Sequence, residues 1–156
     1  MFDLLAYLRR RKSVPPKAVN EGLPIHLKIG ILGENIAAEH YIQNGFIIKR
    51  RNVTIHGYEI DFIAESKTHI VFAEVKTRVG QKDSLHERGR PATAVTPKKQ
   101  AHLITAASYY AKRRRNARKR FRFDVVEVYL NADLSPALVY PIESAFSRDT
   151  HTRRKY

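Results

Sequence analysis

Two stretches of the chain, residues 58–64 (YEIDFIA) and 69–77 (HIVFAEVKT), decide the fold. Both are rich in β-branched and aromatic residues, and the polar residues between them are typical of a turn that joins neighbouring strands. Because side chains alternate across a strand, Glu74 and Lys76 share one face of the second stretch. If the two strands pair through the turn, Asp61 converges on Glu74.

Periodic segments on either side extend this pair of strands. An apolar stripe at helical spacing predicts a helix over 31–44, which Gly45 ends. Thr96 and Pro97 are typical of a helix start, and this second helix is predicted to run to about Arg113. Further strands are predicted over 46–55, 121–130 and 137–142. We therefore expect an α/β fold in the order α-β-β-β-α-β-β, with a central mixed β-sheet flanked by helices.

The length of 156 residues suits one domain with a short segment at each end. Residues 1–28 contain three prolines and a basic run but no sustained period, so we interpret them as a basic N-terminal extension with a short helix over 2–11. Residues 29–147 form the predicted domain, and 148–156 form a basic C-terminal tail.

The charge balance indicates a polyanionic partner. Lys and Arg number 29 against 15 acidic residues, which gives a net charge of +14. Such a chain is attracted to nucleic acid or to an anionic membrane surface. The absence of cysteine excludes disulfides, thiolate metal sites and a cysteine nucleophile. No apolar run approaches the roughly 20 residues that span a bilayer, so a cytoplasmic location without a membrane partner is expected.

Asp61, Glu74 and Lys76 form the pattern with the clearest chemistry. Two carboxylates and an ammonium in apolar strands are costly unless they are matched, and a divalent cation matches the carboxylates. Lys76 then lies beside the water or phosphate that such an ion activates. Glu34, near the start of the first helix, is a candidate third carboxylate. The simpler alternative is an ordinary salt-bridged strand with a solvated charged face.

With these residues the sequence resembles the YraN-like family of predicted endonucleases, within the PD-(D/E)xK restriction-endonuclease-like superfamily. The YraN-like family is also similar to archaeal Holliday junction resolvases. The matching segments are GENIAAE at 33–39, NGF at 44–46, RN at 51–52, YEIDFIA at 58–64, VFAEVKTR at 71–78, TPKKQ at 96–100 and FRFDVV at 121–126.

This resemblance implies a restriction-endonuclease-like core. It also implies metal ligation by Asp61 and Glu74, a supporting role for Glu34 and a catalytic role for Lys76. Lys99 occupies a position that can reach the active site in such proteins, although a solvated first helical turn is an equally good interpretation. The chain departs from the family at Tyr58, where a glycine is usual.

A basic run is the candidate nucleic-acid surface. Residues 112–122 hold eight bases and no acid, which favours a clamp on phosphates over a merely solvated helix end. The predicted contacts, with the lysine that starts the second helix, are Lys99, Lys112, Arg113, Arg114, Arg115, Arg118, Lys119 and Arg120. Tyr109 and Tyr110 could stack on bases, but packing is the expected role.

The sequence thus predicts a nuclease that uses Mg²⁺ or Mn²⁺ to hydrolyse phosphodiester bonds in DNA, including branched or otherwise structured DNA. DNA is favoured over RNA, and a homodimer is compatible with this activity. The alternative is a non-catalytic nucleic-acid-binding module with the same fold. A third interpretation is that the basic tails bind protein partners or ribosomal RNA.

Overall fold

A mixed sheet forms the centre of the molecule. The computed structural model describes residues 4–80, 95–113 and 119–147, and within these ranges five strands lie in the order β1-β2-β3-β4-β5. The strands are β1 (Ile47–Ile55), β2 (Tyr58–Glu65), β3 (His69–Val79), β4 (Arg120–Leu130) and β5 (Pro136–Phe146). Only β3 and β4 pair in parallel, and the other neighbours are antiparallel. The predicted meander of the first three strands is confirmed.

Helices flank this sheet, as predicted. The described helices are α1 (Leu4–Lys12), α2 (Ile25–Gln43) and α3 (Pro97–Lys112). Helix α2 packs over one face of the sheet, through Tyr41, Phe62 and Val126, and we call this the α2 face. Helix α3 packs over the other, through Phe72 and Leu103, and this is the α3 face. The mixed α/β architecture is therefore confirmed.

Local signals account for several element boundaries. Thr96 caps α3 by accepting a hydrogen bond of 3.2 Å from the Lys99 amide, and Pro97 follows in the first turn. Gly45 takes a positive φ of 96°, which ends α2 as predicted. The turn between β1 and β2 places both His56 and Gly57 at positive φ, which suits a tight hairpin.

Two elements differ from the expected bounds. Helix α2 begins at Ile25, six residues before the predicted start. The apolar stripe did not reveal these first turns, because Ile25 and Leu27 are exposed and do not belong to it. Strand β5 continues to Phe146, beyond the predicted end at 142, because Phe146 pairs with Phe123 and is buried on the α3 face. With α1, the observed order is α-α-β-β-β-α-β-β.

The N-terminal segment contacts the sheet edge. The Val14 amide donates to the Ile48 carbonyl at 2.8 Å, and the Ile48 amide donates to the Ser13 hydroxyl at 2.9 Å. The segment after α1 thus satisfies part of the open edge of β1. Of the helices described, none is long and apolar enough to cross a membrane.

Candidate active site

Asp61 lies where β2 stops pairing with β3. The ladder between these strands runs from Glu65 opposite Ile70 to Phe62 opposite Ala73, and Asp61 is the next residue. Its carboxylate Oδ2 accepts a hydrogen bond of 2.7 Å from the Val75 amide, so a side chain replaces the next backbone contact. Ionisable side chains can therefore gather between two central strands.

The alternation of side chains between the two faces of the sheet also breaks at Asp61. Ile60 packs on the α3 face, whereas Phe62 packs on the α2 face. Residues two apart in a regular strand share a face, so the alternation breaks at the residue between them. This irregularity turns Asp61 towards β3, and the assumption of strict alternation could not have placed it.

Glu74 lies on β3 with its side chain only 6% exposed. The Lys76 ammonium donates a hydrogen bond of 3.0 Å to Oε1, and the Lys99 ammonium lies 3.1 Å from Oε2. Oε2 is buried and accepts no hydrogen bond from the described residues. We call Asp61, Glu74, Lys76 and Lys99 together the Asp61–Glu74 site.

Burial raises the pKa of Asp61 to about 7, and the neighbouring negative charge of Glu74 adds to this shift. The hydrogen bond from Val75 opposes it, while Glu34 adds a smaller increase and Lys99 a smaller decrease. A carboxylate with a pKa near neutrality is held where its negative charge lacks compensation. Added positive charge at this point would stabilise the ionised form.

Glu34 approaches the site from α2. Its carboxylate accepts a hydrogen bond of 2.6 Å from the side-chain amide of Asn52, which lies on β1 with a positive φ of 42°. Gly33 brings this turn of α2 close to β3, since a Cβ there would overlap the Thr77 side chain. Glu34 therefore influences Asp61 through its charge, while Asn52 holds its carboxylate.

The donor set suits a divalent ion bound by two carboxylates. No group of three His, Cys, Asp or Glu side chains within the ranges 4–80, 95–113 and 119–147 is arranged to hold a metal ion. Magnesium, however, commonly takes one or two carboxylates and completes its shell with water and phosphate. Asp61 and Glu74 meet this requirement, since one has a raised pKa and the other a buried oxygen without a hydrogen bond.

Comparison with known proteins places this arrangement in a family. A model of "Uncharacterised protein family UPF0102" matches residues 33–128. The chain belongs to this family. A UPF0102 protein of Clostridium botulinum (strain Loch Maree / Type A3) is 43% identical over 119 residues, which cover 76% of this chain and 93% of the relative. A UPF0102 protein of Caldicellulosiruptor saccharolyticus is 38% identical over 119 residues, with 76% and 97% covered.

The match to UPF0102 spans the whole Asp61–Glu74 site and Glu34. A third relative, from Chlorobium phaeobacteroides, is 40% identical over 104 residues, which cover 67% of this chain and 78% of the relative. Helix α1 lies outside the part that the UPF0102 model matches.

The predicted nucleic-acid contacts that the structure of this UPF0102 protein describes fall into three groups. Lys99 lies within the site, while Lys112, Arg113 and Arg120 are exposed near the end of α3 and the start of β4. Lys119 instead donates hydrogen bonds of 2.6 Å to both Glu65 and the Ser66 carbonyl. Three predicted contacts, Arg114, Arg115 and Arg118, lie outside the described residues.

Stacked rings fix the β1–β2 hairpin to α3. His56 stacks on Tyr109 with ring centroids 3.9 Å apart, and Tyr58 stacks on His102 at 4.2 Å. The Lys112 ammonium lies 5.4 Å from the centroid of the Tyr109 ring. Tyr58 thus holds β2 against the helix that carries Lys99.

Sequence reasoning overlooked Glu127 and Asn52. Glu127 is 4% exposed on β4 and pairs in register with Lys76. A signal for it existed, because an acid within the apolar run 123–130 alternates onto the same face as Val125. Asn52 gave no comparable signal, since its contact with Glu34 depends on an unusual backbone angle. The buried Asp124 on β4 pairs with Arg122 at 2.9 Å.

Proposed function

We propose that this protein is a metal-dependent nuclease that hydrolyses phosphodiester bonds in DNA, as a YraN-like member of the PD-(D/E)xK superfamily. The observation that carries the proposal is the break between β2 and β3, where Asp61 accepts a hydrogen bond from the Val75 amide and Lys76 donates one to the adjacent Glu74. An acid from one strand and an acid-x-lysine from the next match the motif that the sequence suggested. The raised pKa of Asp61 is typical of functional carboxylates.

Each residue has a distinct role in this proposal. Asp61 and Glu74 hold a magnesium or manganese ion, with Glu34 as an outer carboxylate. When bound, the ion would supply a Lewis acid for the scissile phosphate and would lower the pKa of a bound water. Lys76 orients the attacking water or stabilises the negative charge that develops on the phosphate oxygens. Lys99, from α3, donates to a neighbouring phosphate oxygen.

The charge distribution supports a nucleic-acid substrate. The net charge of +14 favours a polyanion, and Lys99 and Lys112 lie at opposite ends of α3. At about 1.5 Å per residue this helix extends roughly 20 Å from the site, enough to follow several phosphates. We infer contacts with the backbone rather than with base edges, and the proposed substrate is DNA, including branched or otherwise structured DNA.

A second function is a non-catalytic nucleic-acid-binding module. The observation that favours it is the pair of lysines on Glu74, because these ammonium groups already balance the buried carboxylate without any metal ion. A module of this kind would bind DNA in a salt-sensitive manner and would cut none of it.

The experiment that tests the nuclease is cleavage of linear, nicked and four-way-junction DNA by the purified chain, with magnesium, manganese or EDTA. The nuclease predicts metal-dependent products that Asp61→Asn, Glu74→Gln and Lys76→Ala each reduce by roughly 100-fold or more, the range for a group that acts on the transition state. The matched control is Lys67→Ala, an exposed lysine in the turn between β2 and β3.

Binding measured in parallel separates the two functions. If Asp61→Asn retains DNA binding but loses cleavage, the nuclease stands. Binding without cleavage in any metal supports the non-catalytic module. Cleavage that continues unchanged in Glu74→Gln or Lys76→Ala shows that the activity comes from another source.

A further inference from the structure

Glu127 is a buried acid beside the Asp61–Glu74 site that the proposed nuclease does not use. It lies on β4 with 4% of its surface exposed, and it pairs in parallel register with Lys76 of β3. Residues in register on neighbouring strands project to the same face of a sheet, here the α3 face. The carboxylate of Glu127 and the ammonium of Lys76 thus start from adjacent backbone positions on one surface.

Lys76 nevertheless binds Glu74, whose backbone position is farther from Lys76 than that of Glu127. Backbones of neighbouring strands lie about 4.8 Å apart, whereas residues two apart in one strand are separated by roughly 6.6 Å. The ammonium of Lys76 lies 3.0 Å from Glu74 Oε1 along its own strand. Glu127 Oε2 meanwhile accepts a hydrogen bond of 2.8 Å from the Tyr129 hydroxyl.

A cation at Glu74 would change this arrangement. Lys76 occupies Oε1 of the carboxylate that the proposed ion needs, and an ammonium beside a divalent ion is repelled by it. This repulsion favours a move of the Lys76 ammonium from Glu74 to another acceptor. Glu127 offers a carboxylate in register with Lys76, close enough for the lysine side chain to reach after a change of rotamer.

We propose that Glu127 is a positioning residue that receives the Lys76 ammonium when a divalent ion binds Asp61 and Glu74. This inference rests on the proposed function, because it assumes the metal site. The geometry supports it, because Glu127 is buried and lies in register with Lys76 on the neighbouring strand.

A double-mutant cycle on metal affinity tests the proposal without any measurement of cleavage. The dissociation constant of Mn²⁺ is measured by electron paramagnetic resonance for the unchanged chain, Glu127→Gln, Lys76→Met and the double variant. We expect Glu127→Gln to weaken Mn²⁺ binding about tenfold when Lys76 is present, within the range of coupling between neighbouring groups. In the Lys76→Met background the same change alters affinity less than about twofold, because no ammonium needs a new acceptor.

Tyr129→Phe supplies a second variant with the opposite expected sign. It keeps the Glu127 carboxylate but removes the donor that competes for Oε2, so Mn²⁺ binding is expected to tighten about two- to fivefold. Thermal unfolding of each variant without metal confirms that it folds. Should Glu127→Gln fail to fold, this variant still decides the question.

Several results overturn the inference. An equal loss of affinity in both Lys76 backgrounds would mean that Glu127 acts on the ion directly, and no loss in either would mean that it does not act at all. Tyr129→Phe with unchanged or weaker affinity also contradicts it. If Asp61→Asn and Glu74→Gln leave Mn²⁺ binding intact, the proposed metal site fails and the role of Glu127 fails with it.

Discussion

The Asp61 carboxylate accepts a hydrogen bond of 2.7 Å from the Val75 amide on the neighbouring strand. This bond occupies one carboxylate oxygen and fixes the side chain between β2 and β3. It also places Asp61 next to the charge of Glu74, which raises the pKa of Asp61 together with burial. Folding thus holds two carboxylates together at an energetic cost, as expected for a site that binds a cation.

The free energy of unfolding should fall as the pH rises through the range in which Asp61 loses its proton. In the fold the pKa of Asp61 is about 7, against 3.8 for the ordinary group, so the folded chain holds this proton more tightly. The contribution of Asp61 to the free energy of unfolding therefore decreases between about pH 4 and pH 7 and is level above that. We expect the free energy of unfolding of the unchanged chain to fall by ~2–4 kcal/mol over this pH range because of Asp61, and Asp61→Asn to lack this fall. Urea unfolding at several pH values without metal measures both.

The difference between the pH profiles of Asp61→Asn and the unchanged chain gives the contribution of Asp61, separate from that of other titrating groups. Asparagine can still accept the hydrogen bond from Val75, so the local structure is preserved. Glu21→Gln, at an exposed position, is the control and should leave the pH profile as it is in the unchanged chain. Parallel profiles for Asp61→Asn and the unchanged chain would argue against the raised pKa.

Lys99 should stabilise the fold more than its neighbour Lys98. Lys99 lies 3.1 Å from the buried Glu74 carboxylate, whereas Lys98 is exposed on the same helical turn. We expect Lys99→Ala to cost ~1–2 kcal/mol of unfolding free energy, less than a fully buried pair because Lys99 is partly exposed, and Lys98→Ala to cost under about 0.5 kcal/mol. Similar values for both variants in urea unfolding would show that the ion pair contributes little.

Two glycines of α2 should respond in opposite ways to substitution by alanine. A Cβ on Gly33 would overlap the Thr77 side chain, with Thr77 Cγ2 only 2.7 Å away, whereas a Cβ on Gly30 meets nothing within 4 Å. Gly33→Ala should cost ~1–3 kcal/mol through overpacking and should shift Glu34. Gly30→Ala should be neutral or stabilise by up to ~1 kcal/mol, because alanine favours helix. Equal melting temperatures for the two variants would contradict the close approach of α2 to β3.

The salt dependence of DNA binding should distinguish the basic residues. Lys112 and Arg113 are exposed, whereas Lys119 is engaged by Glu65 and Ser66. Replacement of Lys112 or Arg113 by Gln should lower the slope of log affinity against log salt by ~0.9 for each phosphate that the variant no longer neutralises. Lys119→Gln should leave the slope unchanged, as measured by fluorescence anisotropy. A lower slope for Lys119→Gln alone would place the interface near the β2–β3 turn instead.

Patterning alone predicted the elements whose side chains face a core. The sequences of β2 and β3 predicted both strands to within about two residues because β-branched and aromatic residues dominate them. The first turns of α2 were missed because Ile25 and Leu27 are exposed there and no apolar stripe marks them. The contacts of residues 13 and 14 with β1 could not be predicted either, since they depend on backbone groups that a sequence does not display.

The site itself was only partly predictable. Glu74 and Lys76 share a face by simple alternation, but the position of Asp61 depends on an irregularity in β2 that alternation excludes. The role of Lys99 was open because its partner lies on another element, 25 positions away in the chain. Glu127 was missed because its proximity to Lys76 follows from the parallel pairing of β3 with β4, which is a property of topology.

Binding of Mn²⁺ by isothermal titration calorimetry tests the central claim most directly. The unchanged chain should bind one ion at the Asp61–Glu74 site, and Asp61→Asn and Glu74→Gln should each weaken that binding at least tenfold, since each removes one of two carboxylate ligands. Glu21→Gln, at an exposed position, should bind as the unchanged chain does. Equal affinity in all four proteins would contradict a metal site between β2 and β3.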